Sequence, residues 1–369
     1  MIHNRIALFT SFLGGGGAER VTVNLAEGLL NYGINVDLVV TRTGSWTYVV
    51  PKGARVVDIG APRIYASLPS IVRYLRRERP VALLSAGAAV NVTVLLAWRI
   101  ARIPARVVIA EHNMLCEQVR NTRDWRMRLL PKFVCWCYPW ADTVVAVSNG
   151  VADGLLKLVP FVKSKLRVIY NPVITPEILA KAEEPLNHPW FAPGEPPVIL
   201  GVGRLTAQKD FPTLIRAFDL VRKELPARLL ILGEGSDRPQ LEALVRELCL
   251  DKDVAMPGFV DNPYSYMRWA SVFALSSRWE GLPTVLVEAM ACGCPVVSTD
   301  CPSGPAEILE DGKWGRLVEI GDYEGLGKAI LSTISNPRKN VRERAAFFSL
   351  ERSVNEYLRI LFPQSVTGQ

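Results

Sequence analysis

"SVFALSSRWEGLPTVLVEAMACGCPVVSTD" (residues 271–300) reads as a complete strand, loop, helix and strand. "SVFALSS" is a short apolar run closed by serines, as expected of a buried parallel strand. "RWEG" is the loop at its carboxyl end. Pro283 falls at the expected first helical position, where a fixed φ and a missing N–H do no harm. "PVVSTD" returns as the next strand, so the whole segment is a right-handed crossover within a parallel sheet. Two acids stand out in it. Glu280 lies in the loop and Glu288 inside an otherwise apolar helix, and a buried carboxylate needs a partner or it shifts its pKa.

The unsatisfied amides from Gly281 to Val285 would form an anion site at the strand's carboxyl edge. Carboxylates only accept hydrogen bonds, so Glu280 and Glu288 would take hydroxyl groups. Counted as helix, eight residues turn by roughly 80° net, which keeps the two acids off one face. A ligand with an anionic centre and hydroxylated flanks fits this description, as a nucleotide diphosphate sugar does.

The same alternation runs through the chain. "RIALFTSF", a helix at 18–33 and "INVDLVV" open it, and Val21, Leu25 and Leu29 mark one buried helical face that Gly33 ends. "RVVDIG", "VALLSAG", "ARVVIAEHN", "TVVAVS" and "LRVIYN" are further strands, with helices at 69–79, 91–102, 122–140 and 149–159. Seven of the 26 prolines fall within 172–197, which reads as a linker. Beyond it come "VILGVG", "RLLILG", "VAMPGFV", "SVFALSS", "PVVSTD" and "GRLVEI". Amphipathic helices separate the first three strands, carrying Leu214, Phe218, Val221 and Leu225, then Leu241, Leu244, Val245 and Leu248. The expected architecture is α/β, with two doubly wound Rossmann-like domains at 1–173 and 197–349, joined by the proline-rich linker 174–196. A ligand cleft is expected where the strands' carboxyl ends face each other.

At 369 residues, 49% hydrophobic and 21% charged, the composition is that of an ordinary globular protein of about two domains. "MIHNRIALFTSFLGGGGAER" has the flavour of a signal peptide. Its apolar run, Ile6 to Leu13, is only eight residues long and reads better as a strand before a glycine loop. The tract at 81–98 is broken by Ser85, Gly87 and Asn91 and reads as strand plus helix, not a membrane span. Seven cysteines without a Cys-x-x-Cys and only three histidines favour reduced thiols in a cytoplasmic protein and argue against zinc.

Charge is uneven: residues 1–175 hold 22 Lys/Arg against 10 Asp/Glu. The excess gathers at Arg99, Arg102, Arg106, Arg120, Arg123, Arg126, Arg128 and Lys132, and "FVCWCYPW" follows. Basic residues beside Trp and Tyr suit an anionic membrane surface. A solvated helix face fits as well. No recognition module accompanies the charge, so nucleic acid is not expected as a partner.

Arg204 follows the strand "VILGVG", and Lys209 comes five residues later, placed to grip a diphosphate as fork and point charge. With this pair the chain resembles a known family. "EGLPTVLVEAMACGCPVVSTD" is similar to the signature of retaining glycosyltransferases of family 4, two glutamates eight positions apart in a GT-B fold. "GVGRLTAQKDFPTLIRAF", "ILGEGSDRPQLEAL", "MPGFVDNPYSYMRWASVFALSSRWEG" and "GPAEILEDGKWGRLV" resemble its other blocks in order. "GGGGAERVTVNLAEGL", "AEHN" and "AVSNGVADGLL" are looser matches in the first half.

The resemblance implies that the second domain holds the donor and the first the acceptor. Arg204 and Lys209 would contact the diphosphate, Glu280 the donor sugar and Glu288 the ribose. The amides of Gly281, Leu282, Pro283 and Thr284 are the family's phosphate or sugar segment, Pro283 itself having no N–H. Phe259 and Val260 would lie against the base. Gly14, Gly15, Gly16 and Gly17 would let backbone approach donor phosphate and acceptor, and His112 matches a histidine near the transferring sugar. Glu280, His112, Arg204 and Lys209 are the expected catalytic set. Glu111 and Glu19 carry no assigned role, and the helix 350–362 would return to the first domain. "DKD" at 251–253 reads as a solvated turn, and no metal or cofactor is expected.

The expected activity is retaining transfer of a hexose or N-acetylhexosamine from a UDP-linked donor to a lipid-linked oligosaccharide or polysaccharide. The location would be the cytoplasmic face of a membrane, held peripherally. A sugar-nucleotide epimerase or a non-catalytic sugar-binding protein are the rival readings.

Overall fold

The computed structural model describes residues 5–12, 14, 16–41, 49–121, 124–336 and 340–363, with only the backbone described for Trp125 and Arg126. The chain forms two compact units, residues 1–172 with 350–369, and residues 173–349.

In the first unit the strands are β1 (Arg5–Thr10), β2 (Asn35–Val40), β3 (Arg55–Asp58), β4 (Ala82–Ala86), β5 (Arg106–Glu111), β6 (Thr143–Ala146) and β7 (Leu166–Val168). They form one parallel sheet in the order β3-β2-β1-β4-β5-β6-β7. The helices are α1 (Gly17–Asn31), α2 (Leu68–Glu78), α3 (Ala88–Ala101), α4 (Leu115–Arg120), α5 (Trp125–Cys137) and α6 (Asn149–Leu158). Apolar clusters on both faces of the sheet explain the near-continuous Val/Ile/Leu strands. Of the helix expected over 122–140, α5 takes Trp125–Cys137, and a 3₁₀ turn at Tyr138–Trp140 follows it.

The second unit begins with α7 (Pro176–Ala182), and so corrects the expected linker. Thr175 caps α7 by accepting from the Ile178 N–H, and Pro176 stands in the first turn, where its ring is tolerated. Ile178 is fully buried, and the Val173 and Ile174 amides donate to the Phe348 carbonyl, so the stretch is packed. Proline density here marks helix starts and turns instead of a free tether.

Strands β8 (Val198–Val202), β9 (Arg228–Leu232), β10 (Val254–Gly258), β11 (Val272–Leu275), β12 (Val296–Thr299) and β13 (Arg316–Val318) make a second parallel sheet. Its order is β10-β9-β8-β11-β12-β13. Around it lie α8 (Phe211–Glu224), α9 (Arg238–Glu247), α10 (Pro263–Trp269), α11 (Thr284–Ala291), α12 (Pro305–Leu309), α13 (Tyr323–Ser335) and α14 (Val341–Ala345). The last helix, α15 (Leu350–Leu361), belongs to the first unit, where Val354, Tyr357 and Leu361 join the cluster containing Leu25 and Leu29 of α1. Gly28 makes room for it: a Cβ there would meet Val354 at 2.3 Å.

One charge inside the first sheet tests the packing account. Asp37 on β2 is 1% exposed and accepts from Arg5 Nη1 (2.9 Å), Arg55 Nε (2.9 Å) and the Tyr74 hydroxyl (2.7 Å). Asp37→Ala is expected to lower the unfolding free energy by about 2–4 kcal/mol in denaturant titration. The two half-exposed guanidiniums can turn to water, but the buried Tyr74 hydroxyl loses its partner.

Candidate active site

Parallel strands bring every following loop to one edge, so residues far apart in sequence meet there. In the second unit, the loop after β8 and the loop after β11 are fastened together. Gln208 donates to the Trp279 carbonyl at 2.9 Å, and its own carbonyl accepts the Arg278 N–H at 2.8 Å. The Ser276 hydroxyl donates to the Lys209 carbonyl at 2.7 Å. Asp210 adopts a left-handed φ of 46° and accepts from Thr213 at 2.8 Å and Arg278 at 3.0 Å.

At the centre is an ion pair. Lys209 Nζ lies 2.6 Å from Glu280 Oε1, which also accepts the Ser277 hydroxyl at 2.7 Å. Gln208 reaches the other carboxylate oxygen at 3.5 Å. The side chains are only 13% and 9% exposed. Glu280 therefore has a charged partner inside the protein before any outside hydroxyl is bound. An ammonium carries three donors, so Lys209 can hold Glu280 and still present protons to a phosphate. Arg204, exposed in the same loop, sits 3.5 Å from Gln208 Oε1.

The start of α11 completes this edge. Pro283 is its N-cap, not its first helical residue, and the Leu286 N–H bonds the Pro283 carbonyl at 3.0 Å. The Ser303 hydroxyl donates to the Gly281 carbonyl at 2.7 Å, and the Thr299 hydroxyl to the Ser277 carbonyl at 2.6 Å. Gly304, at φ 96°, lies so close that a Cβ would meet Pro283 Cδ at 2.4 Å. Glu288 is 4% exposed within α11. Because the helix starts at Thr284, only the second half of the interval between the two glutamates is helical, and the angle counted from the sequence does not apply.

The glycines of "LGEGS" have a backbone reason that sequence alone hides. A Cβ on Gly233 would sit 2.0 Å from the Gly203 carbonyl oxygen, and one on Gly235 would sit 2.2 Å from that of Leu205. The loops after β8 and β9 are thus in backbone contact beside Arg204. Phe259 follows β10 at this edge and is 58% exposed, with Val260 next to it half-buried. Asp253, by contrast, precedes β10 and is held by Arg222 at 2.9 Å and by Arg228. Residues 251–253 form the expected turn with Asp251 and Lys252 exposed, while Asp253 itself is an ion-pair hub at the opposite end of the strands.

In the first unit, the carboxyl edge carries Gly14, Gly16 and Gly17 after β1 and His112 after β5. Gly15 lies outside the described residues, as do His3 and Arg123. Gly16 is the N-cap of α1, and Gly17 is its first residue. His112 is 8% exposed, and its Nδ1 is buried without a hydrogen-bond partner. Burial pulls its pKa down to about 4, so the ring is neutral near pH 7. Glu111 points into a buried network. It accepts from Asn91 at 2.9 Å and from the Tyr138 hydroxyl, and Ser85 donates to Asn91 at 2.7 Å. Burial outweighs those bonds and pushes the Glu111 carboxyl up to about 7.

The seven cysteines are all unpaired, and among the described residues no cluster of three or more metal-ligating side chains occurs. No helix among them is long and apolar enough to cross a membrane.

Two Rossmann-like units of parallel sheet are the architecture of the GT-B fold, and the second gathers cations and a buried carboxylate at its sheet edge. The profile of "Glycosyltransferase Family 4" matches residues 15–176, and that of "Glycosyl transferases group 1" matches residues 184–347. The chain belongs to the family-4 type of glycosyltransferases. It is 29% identical over 371 aligned residues, 97% of this chain and 99% of the relative, to a Campylobacter jejuni enzyme. That enzyme is N-acetylgalactosamine-N,N'-diacetylbacillosaminyl-diphospho-undecaprenol 4-alpha-N-acetylgalactosaminyltransferase. The fold is shared with sucrose-phosphate synthase from Thermosynechococcus elongatus (TM-score 0.81, 20% identity, 99% of this chain and 100% of that one). It is shared too with Anabaena HepE in complex with UDP-glucose (TM-score 0.77, 20% identity, 96% and 99%).

Proposed function

We propose that this glycosyltransferase moves a hexose or N-acetylhexosamine, with retention of configuration, from a UDP-linked donor to a lipid-linked oligosaccharide or polysaccharide. The observation that carries the reading is the fastened pair of loops holding Arg204, Lys209 and Glu280 beside the start of α11. The C. jejuni relative's undecaprenol-linked acceptor and the UDP-glucose bound by HepE support the substrate classes.

The chemical demand is to stabilise a departing diphosphate while an oxocarbenium-like sugar forms. Arg204, the free donors of Lys209 and the amides at the start of α11 absorb the negative charge. Glu280, oriented by Lys209 and Ser277, holds a sugar hydroxyl, and Glu288 the ribose. Phe259 and Val260 offer the base an apolar surface. Gly14 to Gly17 allow backbone to approach the donor phosphate and acceptor. His112, kept neutral by burial, serves as a hydrogen-bonding group for the sugar. With the departing phosphate oxygen as base, the acceptor hydroxyl attacks the face that the leaving group vacates. No metal or cofactor is required in this scheme.

The test is a panel of UDP, GDP and ADP sugars scored by thermal stabilisation, then transfer to polyprenyl-diphosphate glycans with NMR of the product anomer. A UDP sugar should stabilise the protein and give a product of unchanged anomeric configuration. Conversion of the donor with no acceptor present would establish the epimerase reading instead, and an inverted product would overturn retention.

A further inference from the structure

We infer that α5 is an interfacial docking helix whose exposed stripe of Leu129, Phe133 and Trp136, bordered by Arg128 and Lys132, inserts into an anionic bilayer surface. The stripe follows helical spacing. Residues 129, 133 and 136 lie four and three apart, while Leu130, Val134 and Cys137 on the other side are buried in the core. Leu129 is 40%, Phe133 46% and Trp136 57% exposed. α5 contains no acidic residue, and Arg128 and Lys132 are exposed one turn apart along the same stripe.

The apolar surface continues beyond the helix. Trp136 packs edge-on against Trp140 at 4.7 Å, and the Arg99 guanidinium sits 5.3 Å from the Trp140 ring. Cys135 bonds the Leu158 carbonyl at 3.3 Å, which brings the end of α6 alongside, and Phe161 just after it is 82% exposed. Single exposed apolar residues are ordinary, but a cluster of this kind marks an interaction site. At 13 residues α5 is too short to span a bilayer, which takes about 20. It suits the interface instead, with rings and Leu129 at headgroup depth and the cations snorkelling to lipid phosphates.

Charge complementarity selects the occupant. A second copy docked on this face would set Arg128 and Lys132 against themselves, whereas an anionic lipid surface neutralises them. The inference relies on the proposed function only in that a membrane-held acceptor gives such docking a purpose.

Full-length protein should sediment with vesicles containing phosphatidylglycerol and not with pure phosphatidylcholine, and raised salt should weaken the binding. Leu129→Ser/Phe133→Ser/Trp136→Ser should reduce partitioning about tenfold or more. Arg128→Gln/Lys132→Gln should do so to a similar extent. Both variants should keep the wild-type Tm and the thermal shift with nucleotide sugar. Brominated lipid should quench wild-type fluorescence more than that of Trp136→Phe. Indifference of the wild type to anionic vesicles, or unchanged partitioning of the folded triple variant, would overturn the assignment. So would lipid-free dimerisation abolished by the same substitutions, which would give the face to a second copy. Vesicle binding by a protein that engages no nucleotide sugar would refute the transferase substrate reading while leaving the surface intact.

Discussion

Lys209→Ala is expected to lose both stability and transfer, and adding Glu280→Gln is expected to recover only stability. The ion pair is 2.6 Å long and largely shielded from water, so removing the ammonium leaves a buried carboxylate with only hydroxyl and amide donors. That should cost about 2–4 kcal/mol. The neutral amide of Glu280→Gln removes the stranded charge while keeping the side chain's size, so the double variant should melt near the wild type. Its transfer rate should nonetheless stay about 10²–10³-fold below that of Glu280→Gln alone, because the charge opposing the leaving diphosphate is gone. Calorimetry beside a transfer assay separates the two roles. Recovery of turnover together with stability would mean that Lys209 acts only as a brace.

The adjacent residues Glu111 and His112 should give opposite pH slopes that single substitutions uncover. Glu111 titrates near 7 in the folded protein, against an ordinary carboxyl value of 4.5. Between those values the unfolded chain has released a proton that the folded one keeps, so stability falls as pH rises from 4.5 to 7. His112 titrates near 4 when folded and 6.5 when unfolded. There the unfolded chain takes up a proton that the folded one refuses, so stability falls as pH drops from 6.5 to 4. The two slopes oppose each other over the shared range from 4.5 to 6.5. Glu111→Gln should therefore leave a protein that weakens towards acid by about 3 kcal/mol across the histidine window. His112→Asn should leave one that weakens by a similar amount between pH 4.5 and 7. Parallel stability curves for the wild type and both variants would show that neither group is held as buried as the structure has it.

The fold was legible because its strands are buried on both faces and read as apolar runs, separated by helices with one apolar stripe. Val21, Leu25 and Leu29 on α1, and Leu214, Phe218 and Val221 on α8, lie in the core as their spacing implies. Proline has two uses that look alike in sequence. Pro176 begins a helix and Pro189 a 3₁₀ turn (Pro189–Phe191) within the second unit, and only a tertiary view separates that use from a tether. Arg204, Lys209 and Glu280 were recognisable from their place after strands. Their mutual contacts were not, since side-chain pairing across 71 residues leaves no local pattern. Gln208, Asp210, Ser277, Thr299 and Ser303, which fasten the loops, leave no local pattern for the same reason. A hint existed in the serines and threonines that close apolar strands, where a hydroxyl can tie one loop to the next.

The most direct measurement is a crystal structure with a UDP sugar bound. The account expects the diphosphate within hydrogen-bonding reach of Arg204, Lys209 and the start of α11, with sugar hydroxyls at Glu280 and ribose at Glu288. A nucleotide sugar seated away from that edge of the second sheet would contradict it.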